Sequence, residues 1–192
     1  MIREIIVTSQ GNGEYVHLAP MGVHETADGV LIMPFRPSTT LDNLVLNRYA
    51  VINYTDDVRV FAGCLTGRRD WPLKKAEHVK GHYLAGTLSH AEVEVIRFED
   101  DALRPRFHCK VLHQVNHAPF RGFNRAQFSV IEAAILISRL HMLPWEKIES
   151  ELTYLAIGLE KTAGEAEKEA WEWIMEAVEA HKHKLRPKAE YV

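Results

Sequence analysis

The sequence of 192 residues has little of several features that would fix its class at once. Its two cysteines, Cys64 and Cys109, show no CxxC spacing, and we expect both to be reduced thiols in a cytoplasmic protein. No apolar run is long enough to span a membrane, and a net charge of −3 does not favour a nucleic-acid partner. We therefore expect neither a membrane nor a nucleic acid among its partners.

Eleven histidines are present, but their spacing does not indicate a metal site. There is no HExxH motif, and neither a cysteine nor a carboxylate joins a histidine at ligand spacing. His113 and His117 fall in a segment predicted to be a strand, where residues four apart lie roughly 13 Å from each other. No Ser-His-Asp or Cys-His arrangement is legible either. The sequence therefore predicts no metal.

The order of the predicted elements is strands first and helices afterwards. Extended segments occupy most of residues 1–120, and three helices are predicted in residues 121–192, the first over Arg125–His141. This segregation favours an α+β protein, with a small barrel formed by about six strands and a C-terminal three-helix appendage. We predict a domain boundary at residues 120–121.

One stretch, Arg36-Pro37-Ser38-Thr39-Thr40-Leu41-Asp42-Asn43-Leu44, combines a strand end with a helix start. Hydroxyl side chains cap helices, and the N-terminal end of a helix favours an anion. Because three hydroxyls and a guanidinium come together here, the stretch is a candidate phosphate site. The alternative interpretation is a capped surface helix beside an unrelated arginine.

Other candidate ligand contacts lie near predicted strand ends and in a basic loop. Asn53 and Thr55 follow the strand after this helix, and Thr55 is also predicted to cap the next helix. Gly22 offers bare backbone to a flat ligand, unless it marks a bulge or a close strand contact. Arg68, Arg69 and Trp71 fall in an irregular segment that is either a solvated loop or a loop binding a phosphorylated ligand.

Several short motifs together resemble the DUF447 family, which belongs with the FMN-binding split-barrel proteins and is related to flavin reductases. They are Ala19-Pro20-Met21-Gly22-Val23, the Arg36–Leu44 stretch, Val51-Ile52-Asn53-Tyr54-Thr55-Asp56-Asp57, and Asn124-Arg125-Ala126 with Val130-Ile131-Glu132-Ala133. The resemblance implies a six-stranded antiparallel split barrel and a homodimer with FMN at its interface. It assigns the FMN phosphate to Ser38, Thr39 and Thr40, helped by Arg36 and Asn43. It also places Met21, Gly22 and Val23 along the flavin ring, and it matches Asn53 and Thr55 to polar positions of the family.

The leading hypothesis for function is an FMN-dependent oxidoreductase of unknown substrate, reduced by a nicotinamide or deazaflavin donor. In it, Arg68, Arg69 and Trp71 hold the second substrate. His17, His24, His82 and His113 are candidate proton donors, each equally well explained as structural. The alternatives are a non-catalytic FMN carrier or redox sensor, and a module that binds another phosphorylated ligand.

Overall fold

The computed structural model describes residues 1–185, in which strands and two short helices are followed by three longer helices. The strands are β1 Ile2–Gln10, β2 Val16–Thr26, β3 Gly29–Ile32, β4 Tyr49–Tyr54, β5 Leu73–Lys75, β6 His82–Leu84, β7 Ser89–Glu99 and β8 Arg106–Asn116. The helices are α1 Thr39–Asn47, α2 Val58–Thr66, α3 Arg125–Ile137, α4 Trp145–Thr162 and α5 Glu165–Leu185.

Six strands close into an antiparallel barrel in the order β1-β2-β3-β8-β7-β4, which confirms the predicted architecture. Alternate residues along each strand point inward, as in Ile5 and Val7 of β1 and Ala91, Val93 and Val95 of β7. Leu41 and Leu44 of α1 join the same apolar core. The helix that carries the candidate phosphate segment is therefore fixed to the barrel by its apolar face.

Strand β2 runs through Pro20, where the sequence indicated an interruption. Pro20 pairs with Ile6 of β1, and β3 pairs with β2 only from His24 to Thr26. At Pro20, the edge of β2 that faces away from β1 is therefore not paired with β3. On that edge, the missing N–H of proline costs no hydrogen bond between strands.

The segment predicted to be irregular contains the hairpin β5–β6, which covers the outer face of β1, β4 and β7. Val51 of β4 packs there against Ala76 and Val79 from the connection between the two strands. The Thr8 hydroxyl donates to the His82 carbonyl at 2.6 Å. Both faces of this part of the barrel wall are therefore buried.

The chain divides into two compact units. Helix α2 belongs to the helical unit, although the strands before and after it in the sequence belong to the barrel unit. Residues 1–56 and 70–121 form the barrel unit, whereas residues 57–69 group with residues 122–192, of which the structure describes those up to 185. Helix α2 therefore packs with α3 and α5, and Val58 and Ala62 enter their apolar core. A boundary drawn only at residues 120–121 misses this excursion.

Three helix ends differ from those that the sequence predicted. The Asp57 carboxylate, and not Thr55, caps α2 by accepting from the Arg59 N–H at 3.1 Å. Helix α3 begins after Asn124 as predicted but ends at Ile137, before His141. The sequence Thr162-Ala163-Gly164-Glu165 has the spacing of a capping box, but Thr162 is the last residue of α4 and the Gly164 N–H donates to Glu167. Within residues 1–185, no helix is both long enough and apolar enough to cross a membrane.

Candidate functional site

The start of α1 has the capped geometry that the sequence predicted. The Ser38 hydroxyl accepts from the Leu41 N–H at 3.3 Å, so it satisfies one of the helix's free donors. Thr39 is exposed at the first position of the helix, whereas Thr40 is buried. The exposed helix start therefore offers hydroxyl groups and the positive end of the helix dipole to an anion.

Arg36 lies beside the connection between β7 and β8. Its guanidinium donates to Asp100 Oδ1 at 2.6 Å, and its backbone N–H donates to the Leu103 carbonyl at 3.0 Å. Both side chains of the ion pair are exposed, so the pair itself adds little stability. An anion bound at α1 would share Arg36 with Asp100 or displace this carboxylate.

Asn43 and Asn53 are buried and engaged within the barrel unit. Asn43 donates to the Ser9 hydroxyl at 3.1 Å, which fixes α1 to the end of β1. Asn53 is 0% exposed, donates to the Ile6 carbonyl at 3.1 Å and accepts from the Leu84 N–H at 2.7 Å. The structure thus gives both amides a positioning role, and Asn53 ties together β1, β4 and β6 with no group turned to a ligand.

The Met21–Val23 segment lies in the middle of β2, with its side chains on alternating faces. Val23 is buried in the barrel core and Met21 packs against that core. A Cβ at Gly22 would lie 2.8 Å from Ile2 Cγ2 and 3.3 Å from Glu4 Oε1. Side chains of β1 therefore already cover the backbone at Gly22. This is the close strand contact that the sequence offered as the alternative interpretation.

The remaining predicted residues fall in two different units, and Thr55 is half-buried at the end of the barrel unit's first segment. Arg68 belongs to the helical unit, where it donates to Glu176 at 2.6 Å and lies 4.8 Å from the ring centre of Trp173. Arg69 donates to the Cys64 carbonyl at 3.2 Å. Trp71 belongs to the barrel unit. The role of Arg68, Arg69 and Trp71 in holding a second substrate stays a prediction.

A cavity of about 750 Å³ opens at the end of the barrel where β1 begins and β4 ends. Side chains of five strands line it, together with Leu88 and the segment after β8: Arg3, Glu25, Tyr54, Leu88, Ser89, Gln114, Asn116, His117, Ala118, Pro119 and Phe120. Arg3 donates to Glu25 at 3.1 Å. Burial raises the pKa of the Tyr54 hydroxyl, and Glu25 adds to this effect, so Tyr54 remains a hydrogen-bond donor at neutral pH.

His117 connects this cavity with a row of stacked rings on the outer face of the barrel. His117 Nε2 lies 2.8 Å from His90 Nδ1, and His90 Nε2 lies 3.4 Å from Glu92 Oε1. Tyr83 stacks on His90 with ring centres 4.0 Å apart. Burial lowers the pKa of His90 despite the opposing effect of Glu92, so His90 is neutral and donates from Nε2 to the carboxylate. Its Nδ1 then accepts from His117, whose own Nδ1 remains for another partner.

Glu92 organises the segment that covers this face. Its carboxylate accepts the backbone N–H groups of Glu77, His78 and Val79 at 2.9, 2.6 and 2.9 Å. Burial alone would raise the pKa of Glu92, but these bonds and His90 outweigh it and hold the pKa below its ordinary value. Glu92 is therefore an ionised carboxylate, 0% exposed and fully hydrogen-bonded.

Two family models cover most of the sequence. The DUF447 N-terminal domain matches residues 3–118, and the DUF447 C-terminal model matches residues 124–176; both describe proteins of unknown function. The chain belongs to the DUF447 family. No protein with a curated description matches it.

Solved structures share the fold of this DUF447 chain. The FMN-bound DUF447 protein MM1853 from Methanosarcina mazei is 21% identical, with a TM-score of 0.81 over 92% of this chain and 94% of that one. The NADH:FAD oxidoreductase SgcE6 from Streptomyces globisporus is 13% identical, with a TM-score of 0.52 over 64% of this chain and 81% of that one. The 2-nitrobenzoate 2-nitroreductase NbaA from Pseudomonas fluorescens is 14% identical, with a TM-score of 0.51 over 59% and 64%. These similarities show a shared fold.

The sequence signalled part of the outer-face cluster of this DUF447 protein. Alternation in β7 and β8 predicted that Glu92 and Glu94 would face the polar residues His108, Lys110 and Gln114. The register pairs Glu94 with Lys110, but it pairs Glu92 with His113, which alternation placed on the apolar face, because a bulge beside Glu92 shifts the register. His90, His117 and the cavity lining were missed. The signal for His90 was its place on the polar, period-two face of β7, which becomes an interior only under the hairpin β5–β6. His117 lies beyond the end of β8, and the cavity lining lies on the opposite face of the sheet.

We predict that Glu92→Gln destabilises the barrel unit by at least about 2 kcal/mol, since a buried N–H without an acceptor costs roughly 1–3 kcal/mol. Urea unfolding gives the change in the free energy of unfolding, and amide hydrogen exchange at residues 77–79 should become faster. Glu94→Gln, at the next outward position of β7, is the matched control, with a change within about 0.5 kcal/mol. Equal effects of the two substitutions would contradict the organising role of Glu92.

Proposed function

We propose that this chain is an FMN-binding oxidoreductase that acts as a homodimer and is reduced by a nicotinamide or deazaflavin donor. The observation that carries the proposal is the fold shared with the FMN-bound protein of its own family over 92% of the chain. The bound FMN would supply hydride transfer, and the protein's part is binding, orientation and exclusion of water. The substrate that receives the electrons is not specified by this observation.

The residues at α1 fit a phosphate group. Ser38 and Thr39 supply hydroxyls at a helix start where backbone N–H groups and the dipole favour negative charge. Arg36 brings a planar guanidinium that grips phosphate oxygens in pairs. Asn43 contributes indirectly, because its bond to Ser9 sets the position of the helix.

The cavity at the open end of the barrel fits a planar ring and a second substrate. Its volume lies within the range of roughly 300–1,000 Å³ that is usual for ligand sites. Met21 pairs with Ile5 of β1, four residues before Ser9, so Met21 and the contact that Asn43 of α1 makes with Ser9 lie about 13 Å apart along the strand. That separation suits the elongated shape of FMN.

Three groups of the cavity would act on a substrate beside the ring. Tyr54 donates a hydrogen bond from its protonated hydroxyl, and Arg3 and Glu25 offer a paired cation and anion. Because His117 donates from Nε2 to His90, its Nδ1 carries a proton to give only when His117 is an imidazolium. Imidazole is the side chain suited to proton transfer near neutral pH, so we assign His117 as the proton donor to a reduced product.

A homodimer interface beside the phosphate segment is supported by exposed apolar side chains. Phe35 and Leu103 are 58% and 61% exposed and flank Arg36, which bonds to the Leu103 carbonyl. Exposed Ile96 and Phe98 lie on β7, which leads into the same connection. Exposed apolar groups of this kind mark interaction surfaces, and a second copy covering them would enclose the phosphate. Most of the apolar surface of α3, by contrast, is covered within its own unit by α2, α4 and α5, and Phe128 is its exposed large apolar side chain.

We predict that apo-protein binds FMN more tightly than riboflavin and that Arg36→Ala weakens FMN binding by about 1.5–3 kcal/mol without changing riboflavin binding. Asp100→Asn should have the opposite effect on FMN, since it releases Arg36 from its ion pair. Fluorescence titration measures both ligands, with Arg106→Ala at the same end of the barrel as control. Equal affinity of the wild type for FMN and riboflavin would remove the phosphate assignment.

We predict that Gln114→Trp, which fills the cavity, slows reduction of bound flavin by its donor at least about tenfold while FMN occupancy stays intact. Lys110→Trp, an exposed position of the same strand outside the cavity, should leave the rate unchanged. Stopped-flow bleaching of the flavin with NADH, NADPH or a reduced deazaflavin gives these rates. A wild type that binds FMN but is inert to all three donors would favour the carrier or sensor alternative.

We predict a dimer, with twice the chain mass in sedimentation at micromolar concentration. Leu103→Glu places a charge in the proposed interface and should shift the protein to monomer and weaken FMN binding together. Leu112→Glu, a less exposed apolar residue on β8, is the control and should leave the dimer intact. A monomeric wild type with undiminished FMN affinity would contradict the shared site.

A further inference from the structure

Three metal-binding side chains meet on the outer face of the barrel unit, outside the cavity and the phosphate segment. Glu77, His78 and His113 each turn a ligand atom to the others, and all three atoms lie within 4.8 Å of one another. The rings of His78 and His113 have centres 4.3 Å apart. Glu77 and His78 are exposed, and His113 is half-buried, so the group is open to solvent on one side.

The fold holds these three residues in place through Glu92. Glu77 and His78 sit in the connection between β5 and β6, and Glu92 binds both of their backbone N–H groups. His113 is the cross-strand partner of Glu92, one strand away on β8. The same buried carboxylate therefore fixes the backbone of two ligands and lies directly beside the third. Such a fixed scaffold lowers the cost of bringing ligands together around an ion.

We propose that Glu77, His78 and His113 form a binding site for one divalent first-row transition metal ion of the Zn²⁺ type. Two imidazoles and one carboxylate are the donor set of open zinc sites, in which water completes the coordination. Imidazole nitrogen also suits Co²⁺ and Ni²⁺, whereas Mg²⁺ and Ca²⁺ prefer oxygen ligands only. Bonds of about 2.0–2.2 Å would require the ligand atoms to draw together from their present spacing, and the exposed side chains of Glu77 and His78 have room to move.

Binding would clamp the β5–β6 connection onto β8. Two ligands come from the connection and one from β8, so the ion would add a link to β8 beside the hydrogen bonds by which Glu92 holds the connection to β7. The proposal thus predicts metal-dependent stability of the barrel unit. It does not depend on FMN, because none of the three ligands lines the cavity or belongs to α1.

The test uses untagged full-length protein that has been treated with chelator and dialysed. Calorimetric titration with Zn²⁺ should show one ion per chain, and Co²⁺ should give the visible absorption of a site with nitrogen ligands. Mg²⁺ at the same concentration should give no binding. His78→Asn/His113→Asn should abolish the site, and Glu77→Gln should weaken it at least about tenfold.

Two control variants separate this site from adventitious binding by other histidines. His108→Asn changes an outward histidine of the same strand β8, and His181→Asn/His183→Asn changes the pair on α5. Both controls should bind Zn²⁺ like the wild type and show the same Zn²⁺-dependent rise in melting temperature. That rise should be absent in His78→Asn/His113→Asn, whose melting temperature without metal reports whether the variant folds.

Absence of binding at one ion per chain would overturn the proposal, as would binding that survives in His78→Asn/His113→Asn. Loss of binding in the α5 variant alone would place the ion on α5 and would equally contradict it. Failure of FMN to bind leaves these results unaffected, so the metal site and the proposed function stand or fall separately.

Discussion

The structure of the barrel unit depends on one buried carboxylate. Glu92 is removed from water on the outer face of β7, and an isolated charge in that position would be strongly unfavourable. Three backbone N–H groups and His90 compensate by hydrogen bonding to it. This requirement fixes the connection between β5 and β6 against the barrel wall. Glu92 also positions the stacked rings of Tyr83, His90 and His117, because His90 is hydrogen-bonded to Glu92 on one side and to His117 on the other.

The sequence predicted the features that follow from the local spacing of apolar and polar residues. It did not predict burial where the covering segment is distant along the chain. Alternation in β7 separated the inward Ala91 and Val93 from the outward Glu92. It did not predict the neighbour of Glu92, because the bulge beside Glu92 turns His113 outward although alternation in β8 placed it on the apolar face. Nothing local shows that Glu92 is buried, because its cover comes from residues 76–81, more than ten positions earlier. The hydrogen bonding of Asn53 was hidden for the same reason, since the Leu84 N–H that donates to its side-chain oxygen belongs to that covering hairpin. Glu77 and His78 looked unrelated to His113 until the hairpin brought them together.

The candidate phosphate segment shows the same division between local and distant effects. The Ser38 cap follows from residue type and helix position, and the structure has it. The ion pair of Arg36 with Asp100 joins residues 64 positions apart, so only the folded barrel shows that a carboxylate already occupies the guanidinium. An anion at α1 would therefore bind in competition with Asp100, and the proposed affinity for phosphate would depend on the difference between two interactions of Arg36. A charged contact that is exchanged in this way contributes specificity for doubly charged phosphate more than it contributes to folding.

Strand β8 explains how one barrel wall can carry two chemically different sites. Successive residues of a strand point to opposite faces, so Gln114 turns into the cavity while its neighbour His113 turns outward to His78. The two faces are separated by the thickness of a single sheet. His117, just beyond the end of the strand, escapes this alternation: it lines the cavity and also bonds to His90 on the outer face. A change that moves the β5–β6 connection would therefore reach the cavity through His90 and His117, without passing through the apolar core of the barrel.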